Sequence, residues 1–235
     1  MVGVILAAGR GTRLLPITKW INKCLFPLGN KPVIYYPLST LVLSGLKKIV
    51  VVIDPLQGYQ IREYIQLIKK EFLFGVSIFF TVQPKPLGMP DAISTTANIV
   101  KGENIMVVGG DNIFGGSYEK YIKSFKGGDL SFLRRVPNPS GCAVPKYDLK
   151  GKLVDIVEKP KRYRGKWAIT GPHIFDRNVF EIIKTLRPST RGELAIVDIH
   201  KKYLNQNKLK LKQAVDFWAD LGTFESLAKI NYDYF

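Results

Sequence analysis

Apolar positions in this chain follow two textures in succession. Short runs of β-branched and apolar residues at 2–6, 48–53, 76–82, 105–108 and 129–136 read as strands. Between them, segments 33–43, 59–71, 91–100 and 118–125 place apolar residues at helical spacing, several entered or left through Pro or Gly. That alternation predicts βαβ units and a mainly parallel, doubly wound α/β sheet. After Val136 the texture changes. Short β-like pieces at 141–147, 152–157 and 167–175 are separated by turns such as Asp148-Leu149-Lys150-Gly151, which predicts a mixed sheet with hairpins. Helices at 176–186 and 194–205, a strand at 208–215 and a last helix from Thr223 complete the pattern. No repeat or low-complexity segment interrupts it, so the reading is one domain over 1–235 whose halves meet near residue 136.

Composition narrows the class. With 235 residues and 46% hydrophobic content the chain can bury a full core. It has no run of 18 uninterrupted apolar residues, and 1–6 is too short for a signal peptide or a span, so a cytoplasmic protein without membrane contact is expected. Cys24 and Cys142 are too few for a disulfide framework or a zinc site and are expected reduced and packed. The net charge of +16 favours polyanions without choosing among nucleotides, sugar phosphates, nucleic acid and anionic membrane surfaces.

The most informative stretch is Ala7-Ala8-Gly9-Arg10-Gly11-Thr12-Arg13-Leu14, directly after the first strand, with Lys23 ten residues beyond Arg13. Gly9 and Gly11 let backbone N–H groups approach an anion, and Arg10, Arg13 and Lys23 could neutralise a polyphosphate. Leu14 stands where a dinucleotide fingerprint needs Gly or Ala, and Gly11-Thr12-Arg13 lacks the Gly-Lys-Ser/Thr of a P-loop. By itself the glycine pair is equally well read as a tight turn. Gln83 to Gly88 follows the third strand at the sheet edge where ligands bind; a Gln amide there can pair with a base edge, or the prolines can simply stiffen a surface loop. Asp111, after the fourth strand, suits a Mg²⁺ ligand or a turn. Asp220 is a second metal ligand or the first turn of the last helix.

Together these stretches resemble the sugar-phosphate nucleotidylyltransferases, and within them the glucose-1-phosphate thymidylyltransferase branch, in a short form without its C-terminal helical extension. The likeness runs nearly end to end, through Leu6 to Leu14, Asn22 to Pro27, Lys31 to Leu38, Gln83-Pro84, Gly110 to Phe114, Glu158-Lys159-Pro160, Thr170-Gly171, Arg191 to Leu194 and Trp218 to Thr223. It implies a Rossmann-like mixed sheet of the nucleotide-diphospho-sugar transferase type, with a nucleotide-binding half at 1–136 and a sugar-phosphate half at 137–235. The implied reaction is Mg²⁺-dependent transfer of a nucleotidyl group from dTTP or UTP to glucose 1-phosphate. Leu6, Gly9, Gly11, Thr12, Gln83 and Gly88 would bind the nucleotide, while Arg13, Lys23 and Lys159 would be catalytic. Asn112, Gly141, Glu158, Lys159, Thr170 and Gly171 would hold the sugar phosphate, with Asp111 and Asp220 on the metal. The effector site and tetramer contacts built by the missing helices are not carried over, although a homo-oligomer remains open.

The chemistry agrees with those roles, because a phosphate dianion must reach the α-phosphorus of an anionic triphosphate and repulsion is the main obstacle. A weakly active binder of the same fold is the alternative; it would not need the metal pair and both phosphate cations. Nucleic-acid binding rests only on charge and on Lys208 to Lys212, which more simply reads as a half-buried strand, so no nucleic-acid partner is expected. His173 and His200 have no evident acid, nucleophile or ligand partner in the sequence and read as structural.

Overall fold

The computed structural model describes residues 1–73, 75–161, 163, 165–189, 192–214 and 216–234, apart from the side chains of Lys70 and Glu71. In chain order the first half comprises β1 (Val2–Ala7), a two-residue hairpin of β2 (Pro27–Leu28) and β3 (Lys31–Pro32), α1 (Tyr35–Leu43), β4 (Lys48–Ile53), α2 (Gly58–Phe72), β5 (Ser77–Val82), α3 (Met89–Ser94), α4 (Ala97–Val100), β6 (Ile105–Gly109), β7 (Asn112–Phe114), α5 (Glu119–Ser124) and β8 (Asp129–Arg135). The second half comprises β9 (Ala143–Tyr147), β10 (Leu153–Glu158), β11 (Trp167–Phe175), α6 (Val179–Lys184), α7 (Ile196–Asn205), β12 (Leu209–Gln213), β13 (Trp218–Asp220) and α8 (Phe224–Tyr234).

Nine strands form one sheet, with β10-β9-β11-β6-β1-β4-β5 as its spine and β8 and β12 continuing beyond β11. The pairings β1–β4, β1–β6, β4–β5 and β8–β12 are parallel. Antiparallel pairing of β11 with β6, β8 and β9, and of β10 with β9, leaves only β10 and β11 running against the rest. The expected mixed, mainly parallel sheet is therefore present, and the change of texture after Val136 marks where the reversed strands enter.

Strand alternation divides the core into two layers. Ile5, Ala7, Ile49, Val51, Met106 and Val108 face α1 and α2 on one side. Val4, Val50, Val52, Ile105 and Val107 face α3, α6 and α7 on the other. Because both faces are covered, β1 and β4 read as continuous apolar runs. A third cluster, Leu14, Leu28, Ile113, Leu221 and Leu227, lies under a separate small sheet made by β7 and β13.

Boundaries differ where side chains compete with the backbone. The helix expected at 91–100 is divided into α3 and α4, because Thr95 and Thr96 turn their hydroxyls onto the carbonyls of Ala92 and Ile93 at 2.8 and 2.7 Å. The helix expected from 176 begins at Val179, since Asp176 accepts from the Asn178 N–H at 3.0 Å and from Tyr203 at 2.7 Å. Thr223 caps α8, its hydroxyl accepting from the Ser226 N–H at 3.1 Å. Val215, assigned by the sequence to the strand observed as β12, and Arg191 of the resembling motif lie outside the described residues. Cys24 and Cys142 are unpaired, and no described helix is long and apolar enough to cross a membrane.

Candidate active site

A cavity of about 680 Å³ opens along the carboxyl ends of β1 and β6 and runs under the reversed strands. It is lined by Leu6, Gly9, Gly11, Thr12, Lys23, Gln83 and Gly88 from the first half. Asp111, Asn112, Gly141, Glu158, Lys159, Thr170, Gly171 and Asp220 complete it. Of the residues predicted from sequence, Arg13 is the one outside the lining. It lies across Gly222, where a side-chain carbon would stand 2.5 Å from Arg13 Nη2 and 2.8 Å from Asp220 Oδ1, so it meets the cavity only at its rim beside Asp220.

The loop after β1 leads into a single 3₁₀ turn, Thr12–Leu14, instead of a long helix. An anion there would meet loop amides, with little help from a helix dipole. Gly11 has φ +61°, a conformation that disfavours other residues. Asn22 caps a later 3₁₀ turn, Lys23–Leu25, accepting from the Cys24 N–H at 2.9 Å and donating to Asp54 at 3.1 Å, and this sets the direction of Lys23.

Lys23 Nζ donates to Asp111 Oδ2. Burial disfavours the ammonium charge, but the Asp111 and Asp220 carboxylates add to outweigh it, and the Lys23 pKa is pushed up to about 12. Asp111 is raised by burial and lowered more by Lys23 and by the Asn112 amide, which donates to it at 3.0 Å, so it ends below the usual carboxylate range. Asp220 is open to the cavity yet enclosed by protein on its other sides. Partial desolvation and then the Asp111 charge push it upward.

The two carboxylates meet through β7 and β13, a pairing too short to be legible in the sequence. Asp220 registers opposite Asn112, and the Leu221 N–H donates to the Asp111 carbonyl at 2.9 Å. Two like charges held together fit a hard divalent cation. No cluster of three or more His, Cys, Asp or Glu suited to a metal occurs among the described residues. A cation here would therefore complete its shell from substrate phosphate and water, as Mg²⁺ commonly does.

The Gln83 side chain has a fixed orientation. Its Nε2 donates to the Gly88 carbonyl at 3.1 Å and to Asp91 at 2.8 Å, so the amide presents Oε1 to the cavity. Gly88 has φ +99°, and a Cβ there would lie 2.1 Å from the Leu194 carbonyl oxygen, so the position excludes any side chain. The Leu194 N–H in turn donates to the Leu87 carbonyl at 2.8 Å, which docks the Gly192-Glu193-Leu194 segment against the same loop.

In the second half, Glu158 and Lys159 pair at 3.4 Å, with about half of each side chain exposed (42% and 59%), so the pair adds little stability. Lys159 has φ +45°, strain of about 1 kcal/mol or more for a residue with a Cβ, and its N–H is held by the Cys142 carbonyl at 2.9 Å. The Thr170 hydroxyl is committed to Arg134, which donates to it at 2.8 Å and to the Gly171 carbonyl at 2.5 Å. Arg134 is only 4% exposed and also pairs with Asp216 at 2.9 Å. Nothing in the Arg134-Arg135 dipeptide marks it in the sequence as a builder of this wall. Trp218 Nε1 donates to Asn112 at 3.0 Å, fixing an amide that also steadies Asp111.

The two histidines are not partnerless as the sequence implied. Both line the cavity, His200 bonding to Asp129 at 2.5 Å and His173 to Ser131 at 3.0 Å. Burial, then the His200 ring and the Arg134 guanidinium, hold His173 well below the usual histidine value. The unfolded chain protonates this residue near pH 6.5 whereas the fold resists it, so its contribution to stability is complete above that pH and is lost as pH falls, by at most about 1.4 kcal/mol per unit. The urea midpoint should therefore decline from pH 7.5 to 5, and His173→Gln should flatten the decline. An unchanged slope in that variant would assign the effect to another group.

A family model described as nucleotidyl transferase matches residues 2–235. Glucose-1-phosphate thymidylyltransferase of Neisseria meningitidis is 39% identical over 233 residues, covering 97% of this chain and 80% of that protein. The protein of the same name from Mycolicibacterium smegmatis is 35% identical, again covering 97% of this chain and 80% of its own. A solved structure from Bacillus anthracis, assigned as a glucose-1-phosphate thymidylyltransferase in complex with a sucrose, has a TM-score of 0.88 at 34% identity over 99% of this chain and 94% of that one. A UDP-glucose pyrophosphorylase complexed with UDP-glucose matches with a TM-score of 0.87 at 21% identity, over 99% of this chain and 97% of that one, a likeness of fold alone.

Proposed function

The chain belongs to the nucleotidyl transferase family, and from that premise we propose that it joins dTTP or UTP to glucose 1-phosphate, with Mg²⁺, giving a nucleoside-diphosphate sugar and pyrophosphate. The observation that carries this reading is one cavity in which an anion-accepting loop, a fixed Gln amide, a carboxylate pair and a second, separate lysine converge.

In this reading the amides of Gly9, Gly11 and Thr12 receive the triphosphate, with Arg10, Arg13 and Lys23 opposing its charge, and Leu6 packs beside it. Gly141 and Glu158 hold sugar hydroxyls, while Asn112, Thr170 and Gly171 shape that wall. Lys159 steadies the attacking phosphate. Its oxygen, already ionised near neutral pH, forms the new bond at the α-phosphorus as the bond to pyrophosphate breaks. No general base is needed, and positioning with electrostatics supplies the rate. Asp111 and Asp220 would hold Mg²⁺, whose contribution is to neutralise charge on the phosphates.

The orientation of Gln83 supports the base assignment. An acceptor Oε1 matches the ring N–H of thymine or uracil and opposes the unprotonated ring nitrogen of cytosine. Gln83→Leu should lower kcat/KM for dTTP about tenfold, the worth of one hydrogen bond, and leave KM for the sugar phosphate unchanged.

The direct test is pyrophosphate release with each nucleoside triphosphate against glucose, mannose, galactose and N-acetylglucosamine 1-phosphates, with and without Mg²⁺. Turnover is expected with dTTP or UTP and glucose 1-phosphate. Absence of turnover in every pairing would overturn the enzymatic reading and leave the binder in its place.

A further inference from the structure

Four polar side chains lie beneath the sugar half of the cavity. Asp129 and Ser131 stand two residues apart on one face of β8, and His173 on β11 registers opposite Ser131. His200 comes from α7. Asp129, Ser131 and His200 are fully buried and His173 is 8% exposed. The carboxylate can only accept, so Ser131 gives its O–H to Asp129 at 2.7 Å and His200 gives its Nδ1–H at 2.5 Å. With its hydrogen committed, the Ser131 oxygen accepts from His173 Nδ1–H at 3.0 Å. In the neutral form of each ring Asp129 thus sets the tautomer, and Nε2 turns a lone pair away from it.

Asp129 does not line the cavity, whereas both rings do, and on each ring Nε2 lies on the side opposite the nitrogen that bonds to the relay. His200 Nε2 is the one buried side-chain polar atom without a hydrogen-bond partner among the described residues. Such an atom destabilises the empty fold and favours any ligand that brings it a donor. Gly171 leaves the space beside the neighbouring ring free, since a side chain there would come within 3.2 Å of His173 Nε2.

We infer that His200 is a specificity-determining residue for the sugar, its Nε2 accepting a hydrogen bond from one hydroxyl of the bound sugar. The inference rests on the proposed use of a sugar 1-phosphate. A hydroxyl satisfies the lone pair, while a hydrogen atom or a fluorine in its place does not.

Monodeoxy and monodeoxyfluoro glucose 1-phosphates, substituted at each ring position in turn, test this with the unaltered enzyme, His200→Leu and Asp129→Asn. At one position both replacements should raise KM about tenfold in the unaltered enzyme with kcat nearly constant, the loss expected for one hydrogen bond. His200→Leu should show the higher KM with glucose 1-phosphate itself and no further loss at that position. Asp129→Asn can donate its amide to His200 Nδ1, which moves the ring proton to Nε2, so the fluoro analogue at that position should regain affinity. A flat series, or a uniform loss across all analogues in His200→Leu, would overturn the inference. Should His200→Leu fail to fold, the ¹⁵N imidazole spectrum of the unaltered protein decides: an unprotonated His200 Nε2 whose resonance moves on adding glucose 1-phosphate supports it, and an unmoved one overturns it. Turnover of glucose 1-phosphate with a flat series removes only the role of His200, whereas no turnover with any sugar 1-phosphate removes the functional reading and this inference together.

Discussion

Lys23→Met is expected to lower kcat by about two to three orders of magnitude, the loss typical of one preorganised charge-stabilising donor. Two effects combine. The variant loses a cation held against the glycine loop after β1, where a Cβ on Gly9 would stand only 3.2 Å from Lys23 Nζ. It also leaves Asp111 facing Asp220 without the counter-charge that holds Asp111 low. Both side chains of the Lys23–Asp111 pair are about 15% exposed, and removing one partner of such a pair costs up to about 3–5 kcal/mol. Thermal melts of the variant must therefore accompany its kinetics. A folded variant with near-normal kcat would show that Lys23 serves the carboxylates alone.

The second large effect is expected from Asp111→Asn, at about two orders of magnitude or more in kcat. An amide oxygen can still accept from Lys23, so the local geometry survives while the charge that would hold a cation is halved. With its like-charged neighbour gone, Asp220 should fall back toward the usual carboxylate range, since the Asp111 charge is one cause of its rise. Titrating turnover with Mg²⁺ should show a much higher requirement in the variant, and chelation should abolish turnover of the unaltered enzyme. An identical Mg²⁺ requirement in the two proteins would exclude Asp111 as a ligand.

Much of the architecture was legible. The runs at 48–53 and 105–108 appear as β4 and β6 within a residue of expectation, because a parallel strand buried on both faces must be apolar throughout. Gly9, Gly11, Thr12 and Gln83 were legible as candidates that line the cavity, since each follows directly on a strand whose apolar run marks its end. β7 and β13 were not, being three residues each, too short to carry alternation. The Arg134 wall was equally hidden, because pairing with Asp216 is what makes a buried arginine tolerable, and that partner lies 82 positions away.

The sequence alone determined the order of the longer strands and helices, the glycine loop after β1 and a list of candidate groups for phosphate chemistry. These follow from local periodicity and side-chain type, which act within a few residues. Only the tertiary structure decided which groups meet: Asp111 with Asp220, Lys23 with Asp111, Arg13 at the rim instead of the lining, and His200 with Asp129 across 71 residues. Charge interaction and desolvation depend on distance and enclosure, and between distant residues both are set by how the sheet closes.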